Sequence, residues 1–245
     1  MAAHMMDPAP GGDTLPATRV TRRTIGPERW DRVVVRTPWI RAGDDLAGVL
    51  RDHLGPLLRD GDLAILSEKA ATIAVGRAVP LTGVQVGRLA HRLASWVRPV
   101  GDSRGLSMPE KMQYVIDAVG RPRIVVAVGV AALTRPLGIH GAFYTVAGAT
   151  ARGMDGGRPP FEDLLLPPLP RPVARGLARS LRDALGAEVA IVDINDRGGS
   201  VRAVSGGPVS ARRLCRILAD NPLGQRDART PLGLVRRVTA GGTGP

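Results

Sequence analysis

The sequence is poor in several residue types, and each shortage excludes a class of protein. Its 245 residues include one cysteine, Cys215, which excludes a disulfide framework and a cysteine-based metal cluster. Aromatic residues make up only 3%, so the stacking platforms that bind single-stranded nucleic acids are scarce. There is no run of about 18 apolar residues to span a membrane, and the first six residues lack the pattern of a secretory signal. We therefore expect a soluble, cytoplasmic protein with no membrane partner.

Lysine is also rare, although the net charge is strongly positive. Lysine and arginine together number 34 against 22 acidic residues, for a net charge of +12, yet Lys69 and Lys111 are the only lysines. The arginines are dispersed along the chain, which favours small anionic ligands over nucleic acid as partners. Nucleic-acid binding by the arginines is therefore only a minor functional hypothesis.

The alternation of apolar runs and turn residues predicts strands mixed with helices. Because the predicted strands and helices do not alternate strictly, we expect a mixed α/β (α+β) fold rather than a doubly wound sheet. Residues 1–24 are predicted to be a disordered tail or a cloning remnant, and 156–172 a long connection. Strands are predicted at 32–36, 63–66, 123–133, 143–147, 189–192 and 232–235, and helices at 46–54, 84–97, 108–119, 173–185 and 210–218.

The common nucleotide and hydrolase motifs are missing or out of context. There is no Gly-x-x-x-x-Gly-Lys-Ser/Thr loop and no Gly-x-Gly-x-x-Gly after a strand. The four histidines are too scattered to suggest a zinc site. Residues 101–105 match the Gly-x-Ser-x-Gly pattern, but a predicted helix precedes them where a nucleophile elbow needs a strand. The sequence therefore lacks the signatures of P-loop proteins, dinucleotide-binding enzymes, histidine-based zinc sites and hydrolases with a nucleophile elbow.

An acidic cluster follows the strand predicted at 189–192. Asp193, Asn195 and Asp196 offer carboxylate and amide oxygens, the hard ligands that Mg²⁺ and Mn²⁺ prefer. Asp155, on another glycine-rich turn, is a second candidate. The alternative is a turn in which these side chains bond only to the backbone.

Two further polar segments are candidates for binding a nucleotide. The loop at 220–231 lies between a helix and an apolar strand, so it either wraps a ligand or forms a surface connection. Lys69 follows the buried strand at 63–66, where a lysine is either solvated or neutralises a phosphate.

Taken in order, these segments resemble the coenzyme F-420 gamma-glutamyl ligase family over about residues 30–237. No single motif is specific, but the ordered series is. The stretches that carry the resemblance are Thr37-Pro38-Trp39-Ile40, Gly43-Asp44-Asp45-Leu46, Gly61-Asp62-Leu63, Ser67-Glu68-Lys69, Gly76-Arg77, His140-Gly141, Ala147-Gly148, the 193–199 turn and 224–236.

The resemblance implies a fold and a chemistry. The fold would be that of the family, with two intimately joined lobes in a catalytic domain at 25–237, followed by a tail at 238–245, and the assembly a homodimer. The chain would be an amide-forming ligase in which GTP or ATP phosphorylates a carboxylic acid. An amine, for which L-glutamate is the candidate, then attacks the acyl phosphate. Mn²⁺ or Mg²⁺ would accompany the nucleotide, because a triphosphate and its leaving group need charge neutralisation.

The resemblance also implies a role for individual residues. Lys69 and Asp196 would be catalytic, and Asp155, Asp193, Asn195 and Asp196 would hold the metal. His140, Tyr144 and Arg152 would contact the substrate. The nucleotide would lie against Thr37, Pro38, Trp39, Ile40, Glu68, Lys69, Gly224, Gln225, Arg226, Asp227, Arg229, Thr230 and Pro231.

Several positions depart from the family pattern. A second family lysine is Ile73 here, and a nearby glutamate is Val75. Direct alignment places Thr150 at a metal aspartate, and only a gap brings Asp155 there. In the family, a Ser-Asn pair that contacts substrate follows the metal aspartate, and that pair is absent from this sequence. The chain therefore resembles a divergent paralogue, and the alternative function is a nucleotide- or metabolite-binding protein that has lost catalysis.

Overall fold

The computed structural model describes residues 18–98, 105–157, 159–195, 198–224 and 228–238. The strands are β1 (Thr18–Ile25), β2 (Glu28–Val35), β3 (Leu63–Ser67), β4 (Val79–Pro80), β5 (Asp155–Gly156), β6 (Leu164–Leu166), β7 (Glu188–Asn195), β8 (Gly198–Val204) and β9 (Leu232–Val238). The helices are α1 (Leu46–Leu54), α2 (Glu68–Ala74), α3 (Arg88–Trp96), α4 (Pro109–Val119), α5 (Arg121–Thr134), α6 (Ala142–Ala147), α7 (Ala149–Arg152), α8 (Arg171–Leu185) and α9 (Ala211–Ile217).

The larger sheet has six strands in the order β1-β2-β9-β3-β7-β8. Only β3 and β7 run parallel, and Ser67 pairs in register with Val192. Because parallel strands end at the same edge of a sheet, the residues that follow Ser67 and Val192 emerge side by side. This register places Lys69 and Asp193 at one edge of the sheet.

Both faces of this sheet are buried. The central strands are continuous apolar runs, as expected where neither face meets water. Leu66 and Ile191 contribute to a cluster that includes residues of α1 and α8, whereas Ile65 and Val192 contribute to one that includes residues of α9. The mixed α+β fold predicted from the sequence is confirmed.

A second apolar cluster is built mainly from helices. It joins α3, α4, α5, α6 and α7 around Met112, Ile116 and Ile124, and it reaches Leu165 of β6. The strands β4, β6 and β5 form a small antiparallel sheet, in which Asp155 pairs with Leu166. Since β5 directly follows the helices, this small sheet brings the end of the helical segment to the large sheet.

Two strands predicted within the helical segment are wrong. Residues 123–133 form α5 and residues 143–147 lie in α6. Gly120, with φ of +93°, ends α4, and Pro122 stands in the first turn of α5, where proline is tolerated. Ile124 and Ala127 are buried three residues apart, as on one helical face. No helix in the described part of the chain has the length and apolar character needed to cross a membrane.

The predicted N-terminal tail is also wrong in part. Residues 18–24 belong to β1, which pairs along its whole length with β2 through a turn at Gly26, where φ is +61°. Arg22 and Asp31 form an ion pair of 2.6 Å across the two strands. The remainder of the predicted tail, residues 1–17, lies outside the described residues, as do 239–245. Strands β5 and β6 interrupt the predicted connection at 156–172.

A Gly233→Ala variant should lower the free energy of unfolding by about 1–3 kcal/mol, the usual cost of overpacking. A Cβ at this position would lie 2.6 Å from the Val33 carbonyl oxygen in the centre of the sheet. Gly129→Ala is the matched control, because a Cβ there meets nothing within 4 Å. That change should stabilise α5 by about 0.5–1 kcal/mol. Urea unfolding of both variants checks the difference, and equal midpoints would contradict it.

Candidate functional site

A cavity of about 1190 Å³ opens where β3 and β7 end. One part of its wall comes from the large sheet and its loops, and another from the helical segment and the small sheet. Within the described residues, the large sheet and the loops next to it contribute 37–40, Ser67, Asp193, Asn195, Arg202, Gly224 and 228–231. The remaining wall includes Lys69, Ile73, Tyr144, Arg152, Asp155, Phe161 and Arg171.

Lys69 and two carboxylates meet in this wall. The Lys69 ammonium lies 2.7 Å from a carboxylate oxygen of Asp155, and both side chains are about half exposed. The charges of Lys69 and Asp155 both act on the nearby Asp193 carboxyl. Burial raises the pKa of the Asp193 carboxyl, Lys69 lowers it and Asp155 raises it. Lys69 is thus a cation that favours the ionised form of Asp193 although Asp155 is near.

Backbone hydrogen bonds join the segments 37–40 and 228–231, both expected to contact the nucleotide, to each other and to the end of β3. The Thr37 amide donates to the Arg229 carbonyl over 2.9 Å, and the Ser67 amide donates to the Pro231 carbonyl over 2.8 Å. Arg229 has φ of +48°, an uncommon value for a residue other than glycine. Such conformations are concentrated at ligand-binding loops. The two segments therefore form one wall, although about 190 residues of sequence separate them.

An aromatic pair lines the same cavity. Trp39 packs edge-to-face on Phe161 with ring centroids 5.6 Å apart, and the Arg229 guanidinium lies 5.9 Å from the Trp39 ring centroid. Tyr144 also lines the cavity, and burial raises the pKa of its hydroxyl. Since the chain has seven aromatic residues in all, three of them in one cavity mark a surface that suits a planar ligand.

Glu68 is placed differently from the sequence-based expectation. Its side chain is buried, with 5% of the residue exposed, and it does not line the cavity. One carboxylate oxygen accepts the Leu169 amide over 2.7 Å, and the carboxylate also contacts the Arg202 guanidinium. Burial raises the pKa of Glu68, while Arg202 lowers it. Glu68 therefore contacts protein groups rather than the space a nucleotide would occupy.

The other expected site residues fall into three groups. His140 is exposed and does not line the cavity. Asp196, Gln225, Arg226 and Asp227 lie outside the described residues. The cavity brings together Thr37, Pro38, Trp39, Ile40, Lys69, Tyr144, Arg152, Asp155, Asp193, Asn195, Gly224, Arg229, Thr230 and Pro231.

Two alignments compete for the position at which the family resemblance implies a metal ligand, and their candidate residues differ in whether they line the cavity. Asp155 lines it, whereas Thr150, in α7, does not. Asp193 and Asn195 alternate on β7 and so share one face of the strand. The gapped alignment is thus the one that puts a second carboxylate in the cavity that Asp193 lines.

The donor set fits a divalent ion that is shared with phosphates. In the part of the chain that the structure describes, no three His, Cys, Asp or Glu side chains form a group that could hold a metal. Mg²⁺ commonly takes one or two carboxylates and completes its shell with water and substrate phosphates. Asp155 and Asp193, with the Asn195 amide, match that smaller requirement.

Sequence reasoning missed many of the cavity residues, and three of those carry a charge or an aromatic ring. Arg202, Phe161 and Arg171 line the cavity, but each stands in a segment without a motif. Arg202 is one of many arginines, and Phe161 follows a pair of prolines in the predicted connection. Only the scarcity of aromatic residues could have marked Phe161.

A comparison with protein-family models finds a match over most of the chain. The model described as F420-0:Gamma-glutamyl ligase matches residues 34–210. The matched range contains Lys69, Asp155 and Asp193.

Proposed function

The chain belongs to the F420-0:gamma-glutamyl ligase family, and we propose that it is a nucleotide-dependent ligase that joins a carboxylic acid to an amine through an acyl phosphate. The substrates we propose are GTP or ATP, an acid of the coenzyme F-420 precursor type or a related acid, and L-glutamate or another amine. Membership of a family of amide-bond ligases sets the reaction class. The nucleotide dependence and the intermediate are our proposal.

The observation that carries the proposal is the meeting of Lys69, Asp155 and Asp193 in one cavity. A cation beside two carboxylates is what phosphoryl transfer requires, because catalysis there consists mostly of positioning and charge stabilisation. The sheet loops at 37–40 and 228–231 supply a wall with an aromatic ring and an arginine for the nucleotide. The helical segment supplies Tyr144 and Arg152 for the acid.

The chemistry assigns each group a task. A carboxylate oxygen of the acid attacks the terminal phosphorus, and the bond from that phosphorus to the bridging oxygen breaks to release the nucleoside diphosphate. The amine nitrogen then attacks the acyl carbon, the acyl C–O bond breaks, and orthophosphate and a proton leave. Lys69 stabilises negative charge on the transferred group. A Mn²⁺ or Mg²⁺ ion held by Asp155, Asp193, Asn195 and, by resemblance, Asp196 would neutralise the phosphates.

A second candidate function is a nucleotide- or metabolite-binding protein without catalysis. The observation that favours it is Ile73, which lines the cavity at the position of a family lysine. An apolar side chain there removes one positive charge from the phosphate environment. This candidate predicts that nucleotide stabilises the protein but is not consumed with any acceptor.

One experiment separates the two candidates. Purified protein is incubated with GTP or ATP, Mn²⁺ and pools of acids and amines, and the phosphorus products are identified. Nucleoside diphosphate with orthophosphate supports the acyl-phosphate ligase, whereas pyrophosphate would mean adenylation and reject it. Stabilisation without turnover selects the binding protein; a ligand at a hundredfold its Kd adds about 2.7 kcal/mol, which a melting curve resolves.

We also propose that the protein is a homodimer, as the family resemblance implies. Light scattering on the purified chain measures this directly. A mass of twice 25.8 kDa is the expected result, and a mass of 25.8 kDa at micromolar concentration would reject it.

A further inference from the structure

We propose that Arg202 is a further phosphate-binding residue of the cavity and that the buried Glu68 positions it. This inference rests on the proposed function in one respect, namely that nucleotide phosphates lie near Lys69. It assigns a binding role to an arginine for which neither the sequence motifs nor the family resemblance gave one. It also replaces the expected nucleotide contact of Glu68 with an indirect role.

The contact between Glu68 and Arg202 combines one hydrogen bond with a close ion pair and is largely removed from water. Arg202 Nε lies 2.7 Å from Oε1 of Glu68, and Nη2 donates to Oε2 over 3.1 Å. The Leu169 amide donates to Oε1 over 2.7 Å. The side chain of Arg202 is 15% exposed and that of Glu68 is 6% exposed. The guanidinium is therefore held in one orientation by a carboxylate that is itself fixed by the backbone.

The first turn of α2 anchors two cations of the cavity. Lys69 reaches Asp155 directly, while its neighbour Glu68 turns into the protein and holds Arg202 on β8. The sheet positions Glu68 by ending β3 at Ser67. Both cations thus depend on the same helical turn.

Arg202 contributes to the cavity wall as well as to the contact with Glu68. Arg202 lines the cavity, and its Nε and Nη2 atoms are engaged with Glu68. The Nη1 atom takes no part in these two contacts, and it is the nitrogen that we assign to a phosphate oxygen. Arg202 also favours the ionised form of Asp193, so its positive charge acts on the carboxylates that would hold a metal and its phosphates.

This arrangement suits an oxyanion rather than a neutral ligand. A guanidinium offers planar pairs of N–H donors that match phosphate oxygens, and a lysine cannot reproduce that geometry. Because Glu68 already fixes the side chain, little conformational freedom is lost when a phosphate binds. The ligand class is a polyphosphate accompanied by a divalent ion.

The test measures binding of inorganic tripolyphosphate with Mn²⁺ by calorimetry. Arg202→Lys keeps a positive charge beside Glu68 but removes the planar edge, so it should fold and raise the Kd about tenfold, as expected for one lost hydrogen bond to a charged group. Glu68→Gln keeps an acceptor for the Leu169 amide, and the Kd should rise by a smaller factor. Arg179→Lys, an exposed change on α8 outside the cavity, should leave the Kd unchanged.

A double variant distinguishes positioning from a general structural role. If Glu68 acts through Arg202, the Glu68→Gln/Arg202→Lys protein should bind tripolyphosphate as weakly as Arg202→Lys alone, because the effects of coupled residues do not add. Additive losses would reject the positioning role. A wild-type Kd for Arg202→Lys, or no binding of tripolyphosphate to the wild type, would overturn the phosphate assignment. Absence of ligase turnover would instead reject the proposed reaction, because these titrations need none.

Discussion

Replacing Lys69 with methionine should reduce kcat/KM for the nucleotide about 10²–10³-fold, the usual loss when one preorganised charge-stabilising group is removed. Methionine has a similar length and fits the half-exposed site, so the fold should survive. The ammonium that pairs with Asp155 and lowers the pKa of Asp193 is lost. Their repulsion should lower the melting temperature of the ligand-free protein.

Steady-state release of nucleoside diphosphate and melting curves measure both effects. Mn²⁺ should raise the melting temperature of Lys69→Met more than that of the wild type, because the ion then supplies the missing positive charge. Arg88→Met, an exposed change at the start of α3, is the control and should behave as the wild type. Unchanged kcat/KM in Lys69→Met would remove Lys69 from the site.

Asp193→Asn should abolish the metal-dependent stabilisation and the turnover, yet stabilise the ligand-free protein at neutral pH. Burial raises the pKa of Asp193 above its usual value of 3.8. The folded protein therefore binds this proton more tightly than the unfolded chain, and stability falls as pH rises from the unfolded to the folded pKa. Asparagine removes that cost. The gain should disappear below the unfolded pKa.

Unfolding with urea between pH 3 and pH 8, with and without Mn²⁺, measures this behaviour. Asp183→Asn, an exposed carboxylate on α8 outside the cavity, is the control and should keep the response to Mn²⁺. A variant of Asp193 that is less stable at neutral pH without metal would contradict the sign of the argument. If Asp155→Ala keeps full metal-dependent activity, Thr150 and not Asp155 occupies the metal-ligand position.

The sequence predicts the centre of the large sheet well because its strands are short apolar runs bounded by turn residues. Residues 63–66, 189–192 and 232–235 lie within β3, β7 and β9. It fails at 123–133, where a β-branched apolar run suits a buried strand and a helix equally. Tertiary packing decides that case, because α5 buries one side of the run against α6 and neighbouring helices and leaves Val125 and Leu133 exposed.

The cavity was predictable only where chain order carries information. The resemblance led to Lys69, the 37–40 segment and the 228–231 segment because they recur in a fixed series. The role of Glu68 was not predictable, since its partner Arg202 is 134 residues away and belongs to a strand without a motif. A side chain's direction at the start of a helix, inward or towards the ligand, is set by the residues packed on it. Those residues here come from β8 and the segment before α8.

The position of β9 has a consequence for synthesis of the protein. This last strand of the described chain lies between β2 and β3, so the hairpin of β1 and β2 has no partner in the sheet until residues 232–238 have left the ribosome. Strand β3 can pair with β7 earlier, but one of its edges stays open until then. Such open edges are where chains associate wrongly during folding. The hairpin of β1 and β2 therefore depends on residues that are made about 200 positions later. A ribosome that stalls after α9 would carry two unjoined pieces of one sheet.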